Sequence, residues 1–398
     1  MINPKLAGKT LLVQGAGRGN LGIVQAAKAN SVKTIVTGLG GNYPCSILAD
    51  KECYADIMDV EAVLRVAEDN CVDGAVICCS DTGLQAVGRC NDKLKLCGIT
   101  EESAVLSSNK YEMKRLLIAN GVRTAPFFKI EDADNLYKAV ESIGYPVIIK
   151  ATDLQGSRGI YIVRTEEDLK PSFEQVMDQT HESYCIVEKF LEGKEYGAQS
   201  FVYNNDVLFV LPHGDETIMC KTAVPIGHYM PYEISDELAI DTEVQVKKAI
   251  AALGLNNCPV NVDLIEVEGK AYIIELTGRV GANCLPELVG NYYGFNYYEM
   301  ILNTVLGESP LPIFNSRKAV SSTLARMVKA EKTGTVESVE VPSLPETDIL
   351  MFISSGDKVR AFTNCNDAIG QIVVFGDTLD ECEKKMAKAE RSIKVEIA

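Results

Sequence analysis

The sequence predicts a multidomain protein of mixed α/β and α+β class that begins with a doubly wound parallel sheet. Residues 1–100 alternate apolar strands with helices, an order typical of parallel sheets whose two faces are both covered. Shorter strands and helices follow, which indicates α+β units. At 398 residues the chain exceeds one ordinary core and has room for about two to four domains.

The first hundred residues are predicted to hold three buried strands (9–15, 33–38 and 74–79) with helices at 24–29 and 60–70. The turn after the first strand runs from Gly15 to Asn20 and departs from the G-x-G-x-x-G spacing of dinucleotide sites. Asp50 lies too far along the chain for the expected ribose ligand. We therefore expect a tight turn into a helix N-terminus, where an anion could bind.

The middle of the chain predicts a small α+β unit and then a larger sheet. A capped helix begins at Thr100, and another begins at Lys110 and ends at Asn120-Gly121. The predicted strands that follow are 127–130, 146–150, 160–163 and 184–188, with helices at 131–143 and 166–180. Alternating segments at 197–202 and 206–211 predict further strands, and a helix is expected at 378–391.

The most informative pattern is a β-hairpin about Gly269. Folding the chain there places Asp263 opposite Glu275, with Cβ atoms about 4.5–5.5 Å apart. Two carboxylates this close repel unless a cation separates them or one is protonated. Oxygen ligands suit Mg²⁺ or Mn²⁺, especially an ion also held by phosphates; the alternative is a solvated polar face. Three more polar residues share the face: Asn261, Thr277 and Arg279.

Two other segments carry candidate nucleotide contacts. The loop 153–159 joins two strands, so it is not a Walker loop, although its backbone N–H groups could cover phosphates. Lys150 ends the strand before this loop. Glu188 ends a later strand, and the connector after it could present its backbone to an adenine edge and Glu195 to ribose hydroxyls. An ordinary hairpin and a charged surface loop are the alternatives.

The composition excludes several classes of function. A net charge of −16 opposes non-specific nucleic-acid binding. Thirteen cysteines without a C-x-x-C pair, and only three histidines, argue against zinc and indicate reduced thiols of a cytoplasmic protein. We expect no membrane association, because neither a signal-peptide core nor a spanning apolar run occurs.

In order and spacing, these motifs resemble the ATP-grasp superfamily, in particular the L-amino-acid ligases, the carbamoyl phosphate synthetase large chain and biotin carboxylase. The resemblance covers about residues 1–310 and implies an ATP-grasp fold with a Rossmann-like (pre-ATP-grasp) domain and a small C-terminal α+β domain. The implied division is 1–105 (pre-ATP-grasp), 106–190 (small subdomain with the glycine-rich lid), 191–315 (large subdomain with the metal site) and 316–398 (C-terminal domain).

The resemblance also implies a role for each motif, with ATP and Mg²⁺ (or Mn²⁺) as cofactors. Lys110 and Lys150 would bind phosphates, and Asp263 and Glu275 would hold two metal ions. Arg279 would stabilise the transferred phosphoryl group and, with Lys150, form the catalytic set. The remaining implied nucleotide contacts are the lid residues Gly156, Ser157 and Gly159, the adenine contacts Glu188, Lys189, Phe190 and Leu191, and the ribose contact Glu195.

The chain departs from the family pattern at two positions. The family has Asn two residues after the second metal carboxylate, where this chain has Thr277; either Thr277 ligates or Asn261, across the hairpin, takes part. Biotin carboxylases have Glu four residues after the Arg, where this chain has Asn283. The run from Thr277 to Leu288 looks more like the L-amino-acid ligase branch.

The implied function is an ATP- and Mg-dependent ligase that converts a carboxylate to an acyl-phosphate and transfers it to an amine or another nucleophile. The partners would be small-molecule carboxylates and amines, with a homodimer as the default assembly. His228 is expected to be structural rather than a base, Lys221 to border the cleft, and Arg326 to clamp a substrate carboxylate. The alternatives are a bicarbonate-using carbamoyl-phosphate-synthase-like or carboxylase-like enzyme, and a catalytically weak nucleotide-binding subunit.

Overall fold

The computed structural model describes residues 3–154, 158–219, 223–318 and 320–398. The N-terminal region forms a four-stranded parallel sheet of order β3-β2-β1-β4. The prediction of a parallel sheet is confirmed, although the strand predicted at 74–79 ends at Val76 and the short edge strand β3 was missed. The elements are β1 Thr10–Gln14, α1 Leu21–Ala29, β2 Lys33–Gly38, α2 Pro44–Leu48, β3 Lys51–Tyr54, α3 Val60–Asp69, β4 Gly74–Val76 and α4 Leu84–Leu94.

The turn after β1 is held by Asn20. Its side-chain amide donates to the carbonyls of Gln14 and Gly15, each at 2.8 Å, and its oxygen accepts from the backbone of Cys78 at 2.7 Å. This buried side chain therefore joins the loop after β1 to the loop after the adjacent strand β4. Asp50 accepts hydrogen bonds from the backbone and hydroxyl of Thr34, which agrees with its exclusion as a ribose ligand.

Two helices lead from this sheet to a second, four-stranded antiparallel sheet of order β5-β8-β6-β7. Each helix begins at a side-chain cap: Thr100 accepts from the backbone of Ser103, and Asn109 from those of Tyr111 and Glu112. The elements are α5 Glu101–Ser108, α6 Lys110–Ala119, β5 Phe127–Ile130, α7 Ala133–Ile143, β6 Val147–Lys150, β7 Ile160–Val163, α8 Leu169–Gln179 and β8 Cys185–Lys189.

The largest sheet has eight antiparallel strands in the order β13-β12-β9-β10-β11-β14-β18-β16, and a small sheet of order β17-β15-β19 follows. The first part comprises β9 Lys194–Tyr203, β10 Asp206–Met219, β11 Ala223–Met230, α9 Asp236–Ala252, β12 Cys258–Val267, β13 Lys270–Thr277, α10 Leu285–Tyr293, α11 Tyr297–Val305 and α12 Leu311–Asn315. The second part comprises β14 Ser322–Lys329, β15 Gly334–Glu340, β16 Thr347–Met351, β17 Lys358–Val359, β18 Ala368–Gly376, α13 Leu379–Ser392 and β19 Lys394–Ile397.

Residue alternation in the central strands separates a core from a polar face. Val262 and Leu264 are buried in one hydrophobic cluster with residues of α9, whereas Asp263 between them faces the other side. Deeper along that other side, Phe201 and Phe209 pack with α10, α11 and the N-terminal sheet. The polar face is thus an extension of a packed interface rather than an open surface.

The eight-stranded sheet runs across residue 315, because β14 pairs with β11 through His228 opposite Ala325. The four-part domain division therefore stays a prediction. Among the helices of the described residues, none is both long enough and apolar enough to cross a bilayer.

Candidate active site

The predicted carboxylate pair forms on the β12–β13 hairpin. Asp263 lies directly opposite Glu275 in the ladder, and Gly269 adopts a positive φ of 73° in the turn, so the predicted register is confirmed. Burial and the neighbouring Glu275 raise the pKa of Asp263 to about 8. The pair is therefore short of positive charge, as expected of oxygen donors arranged for a divalent cation.

Lys110 supplies part of that charge from the first residue of α6. Its Nζ lies 3.3 Å from a carboxylate oxygen of Glu275 and donates to the carbonyl of Leu154 at 2.9 Å. Lys110 lowers the pKa of Glu275, while Glu275 raises that of Lys110 even though burial alone would lower it. The predicted phosphate-binding lysine thus meets the metal pair at the start of the glycine-rich loop.

The predicted Lys150 and Glu188 meet in a second, more deeply buried charge cluster. One oxygen of Glu188 lies 3.1 Å from Nζ of Lys150 and 3.3 Å from Nζ of Lys114. Lys114 is almost fully buried and also donates to Thr124 at 2.6 Å. Both ammonium groups keep the pKa of Glu188 below its usual value against the opposing effect of burial.

The second oxygen of Glu188 has a different environment. It is buried and has no hydrogen-bond partner among the described residues. An orphaned carboxylate oxygen of this kind requires a donor, and the exocyclic amine of adenine provides one. This acceptor therefore fits the predicted contact of Glu188 with the amine of an adenine base.

The connector after β8 contributes backbone groups. The N–H groups of Lys189 and Phe190 already donate to the carbonyls of Pro126 and Pro146. The Leu191 N–H has no such partner within the described part of the chain, which leaves it available to a base edge. Glu195 is exposed on β9, two residues before Gly197, which pairs with Asp263. It therefore lies on the same face as the carboxylate pair, nearer to solvent.

Part of the predicted lid lies outside the described residues, namely Gly156 and Ser157, as does Lys221. Gly159 is described: its φ is 63°, and its carbonyl accepts from the Ala151 N–H at 2.8 Å. A Cβ there would lie 2.8 Å from the Cβ of Ala151. The end of the loop therefore favours glycine for both conformation and space.

Arg279 lies beside the pair but is bound by a residue that the sequence did not single out. Its Nε and Nη2 donate to the two oxygens of Asp81 at 2.7 and 2.8 Å. Asp81 comes from the loop between β4 and α4. Its pKa stays below its usual value because of Arg279 and Thr277, although burial alone would raise it. The N-terminal region thus orients the predicted phosphoryl-stabilising side chain.

The two alternative metal ligands both have other contacts. The Thr277 hydroxyl donates to Asp81 at 2.7 Å. The Asn261 oxygen accepts from Gln199 at 2.6 Å, and its amide donates to Asp263 at 3.1 Å. Because these hydrogen bonds orient Asp81 and Asp263, we propose positioning roles for both residues, and their alternative roles as metal ligands stay predictions.

Arg326 does not lie where the sequence placed it. Its guanidinium donates to both oxygens of Glu216, each at 2.6 Å, and to Glu383 of α13 at 2.9 Å. Arg326 pairs with Gly227, whereas the preceding residue, Ala325, pairs with His228. Because successive side chains of a strand point to opposite faces, Arg326 lies on the face opposite to His228. The prediction that it clamps a substrate carboxylate is therefore wrong, because Arg326 lies on the face opposite to His228 and is bound by Glu216 and Glu383.

The opposed carboxylates, the lysines beside them and the buried oxygen of Glu188 that lacks a partner among the described residues fit a nucleotide-dependent ligase of the ATP-grasp type. A family model described as an ATP-grasp domain matches residues 143–287. A solved structure, phosphoribosylglycinamide synthetase from Anaerococcus prevotii, is 45% identical, covers 98% of this chain and 100% of its own, and superposes with a TM-score of 0.87.

Curated relatives are more distant. Phosphoribosylamine–glycine ligase from Streptococcus pneumoniae (strain ATCC BAA-255 / R6) is 23% identical over 76% of this chain and 76% of its own. The C-terminal section of the carbamoyl phosphate synthase large chain from Aquifex aeolicus (strain VF5) is 24% identical over 54% of this chain, a match that spans only 40% of the relative.

The chain belongs to the ATP-grasp superfamily and is an ATP-dependent ligase of that family. Enzymes of this class generally use ATP with Mg²⁺ or Mn²⁺ and form amide bonds through acyl-phosphates. The predicted fold class and type of activity are confirmed.

Proposed function

We propose that the enzyme activates the carboxylate of a small amino acid as an acyl-phosphate and transfers the acyl group to an amine, using ATP with Mg²⁺ or Mn²⁺. The observation that carries the proposal is the Asp263–Glu275 pair with Lys110 at 3.3 Å. Two carboxylates that face each other beside a lysine fit a metal-bound triphosphate, whose cation they would hold and whose phosphates the lysine would bind.

Each group has a distinct part in this scheme. Asp263 and Glu275 would hold the metal, which supplies neutralisation of the phosphate charge when bound. Lys110 and Lys150 would bind and orient the phosphates, and the free oxygen of Glu188 would accept from the adenine amine. Positioning and charge neutralisation account for most of the catalysis of phosphoryl transfer.

Arg279 would stabilise the transferred phosphoryl group. Its Nε and Nη2 are held by Asp81, and Nη1 donates to the Val280 carbonyl at 3.1 Å. The guanidinium is therefore fixed before substrate arrives, which lowers the reorganisation needed in the transition state.

The relatives suggest the first substrates to try. Their names pair glycine as the carboxylate with phosphoribosylamine as the amine, so we propose that pair. The assay measures ADP release with Mg²⁺ against glycine with phosphoribosylamine, then against other amino acids and then against bicarbonate. Amino-acid-dependent ADP release is the expected result. Bicarbonate-dependent release, or nucleotide binding without turnover on the whole panel, contradicts the proposal.

Assembly and location are also proposals. We infer a homodimer, which light scattering of the purified protein tests directly. A cytoplasmic location agrees with the reduced state expected for the cysteines.

A further inference from the structure

A second polar cluster lies on the same face of the eight-stranded sheet as the metal carboxylates. Asp263 pairs with Gly197, and Gly197 pairs with His213 on the next strand. Asp215, two residues after His213, faces His228 on β11. His213, Asp215 and His228 therefore continue the line of the carboxylate pair across the sheet.

Both imidazoles bind the same carboxylate oxygen. Nδ1 of His213 lies 2.9 Å from Oδ1 of Asp215, and Nδ1 of His228 lies 2.6 Å from that atom. The two histidines hold the pKa of Asp215 far below its usual value, despite burial. The acid is therefore an anion that accepts one N–H from each ring, which leaves the lone pair of each ring on Nε2.

The two rings differ in what surrounds Nε2. His213 is 2% exposed and its ring lies over Gly197, where a Cβ would come within 2.2 Å of the imidazole. Its Nε2 is 3.4 Å from the Gln199 amide, and burial lowers its pKa. His213 is thus a neutral ring whose Nε2 faces Gln199. His228 is also buried, at 5% exposed, but its Nε2 has no hydrogen-bond partner in the described ranges.

The sequence favoured a structural role for His228. From its contact with Asp215 on the face of the carboxylate pair, we propose instead that His228 is the general base that removes the proton from the attacking amine, a role that rests on the proposed ligase function. His228 lies three strands from Asp263, roughly 14 Å between backbones at the usual strand spacing. That span accommodates a phosphoryl group on the metal carboxylates, then the acyl carbon, then the incoming nitrogen.

The amine nitrogen attacks the carbonyl carbon of the acyl-phosphate, and a C–N bond forms. The C–O bond to phosphate breaks, so inorganic phosphate leaves with that electron pair. The nitrogen loses one proton to Nε2 of His228, which becomes an imidazolium stabilised by the Asp215 anion before solvent takes the proton.

The same three side chains could instead hold a metal ion, since their ligand atoms lie within 4.8 Å of one another. The two short contacts to a single oxygen are hydrogen-bond distances, and both ring nitrogens that face it carry the proton in that arrangement. A metal there would have to displace both protons.

The test separates phosphorylation from amine capture in His228→Gln. Hydroxylamine traps acyl-phosphates as hydroxamates and needs little help from a base, because it is largely unprotonated near neutral pH. Glycine-dependent turnover with phosphoribosylamine should fall by about 10²-fold or more, while hydroxamate formation from glycine changes by less than about threefold. Asp215→Asn should show the same pattern at smaller amplitude.

His181→Gln is the matched control, since it makes the same change at the exposed third histidine. Equal loss of hydroxamate and amide in His228→Gln overturns the proposal while leaving the ligase function intact, as does bound zinc in the wild type that the variant lacks. If the wild type forms no hydroxamate with any carboxylate tested, the proposed function itself is contradicted. A thermal melt confirms that each variant is folded.

Discussion

Glu188 and Asp263 are two carboxylates whose surroundings shift their pKa values in opposite directions. Glu188 has two ammonium groups within 3.3 Å, and its pKa is lowered. Asp263 faces another acid, and its pKa is raised to about 8. Glu188 is therefore neutralised by two of the chain's own ammonium groups, whereas the carboxylate pair is contacted by one ammonium group among the described residues, that of Lys110, and we propose that a metal cation completes its charge balance.

Activity should be most sensitive to the charge of the carboxylate pair. Asp263→Asn and Glu275→Gln should each reduce Mg²⁺-dependent ADP formation by about a thousandfold or more, because several kcal/mol of charge stabilisation are lost. Steady-state assays at saturating Mg²⁺ measure this. Glu266→Gln, farther along the same strand, is the control, and full activity in either site variant contradicts the metal assignment.

On the adenine side, the largest effect should be on folding. Glu188→Gln leaves the buried Lys114 and Lys150 without a counter-charge, so the free energy of unfolding should fall by about 3–5 kcal/mol. Urea denaturation measures the difference. The exposed pair Lys129–Glu131 provides the contrast, since Glu131→Gln should change stability by less than about 1 kcal/mol. An equal fall in the free energy of unfolding of the two variants would mean that charge pairing in the buried cluster stabilises the protein no more than a surface ion pair does.

In the metal-free protein, the two acids should make the free energy of unfolding depend on pH in opposite directions. Because the pKa of Asp263 rises from 3.8 to about 8 on folding, the native state binds more protons in that window, and this acid's contribution to stability falls as pH rises through it. Glu188, with its lowered pKa, contributes stability that is lost as pH falls below about 4.5.

Thermal melts in EDTA between pH 5 and pH 8 test the predicted contribution of Asp263 to the pH dependence of stability. The decline attributable to this acid should disappear in Asp263→Asn, and Mg²⁺ should oppose it in the wild type. An identical pH profile in wild type and variant would show that Asp263 ionises normally.

The smallest effects should come from the residues that position the metal side. Asp81→Asn should lower kcat about tenfold, because Arg279 loses a bidentate charged partner, with Mg²⁺ affinity unchanged. Thr277→Val should cost about 1 kcal/mol of stability, and Thr277→Ser, which keeps the hydroxyl, should behave as wild type. A large loss of Mg²⁺ affinity in Thr277→Val would restore Thr277 as a ligand.

The sequence predicted local features well because their geometry is set by short-range periodicity. The alternation about Gly269 was enough to give the Asp263–Glu275 register. The contact between Lys150 and Glu188 was not predicted, because it depends on the pairing of β6 with β8. Lys114 was missed, although it lies one helical turn after Lys110 and so could have been found from the helix period.

Asp81 had no signal in the sequence, since it meets Thr277 across 196 residues and depends on how the N-terminal sheet docks. The role of Gln199, which links Asn261, Gly281 and His213, depends in the same way on strand pairing between distant segments. Such contacts become visible only once the sheet order is known.

The last eighty or so residues are not a detachable module, because their first strand, β14, pairs with β11. β11 carries His228, and its other edge is covered only by β14 within the described chain. Deleting the tail would leave that edge bare and free to recruit foreign strands. Exchanging this C-terminal segment between related enzymes would therefore alter the surroundings of β11, the strand that carries His228.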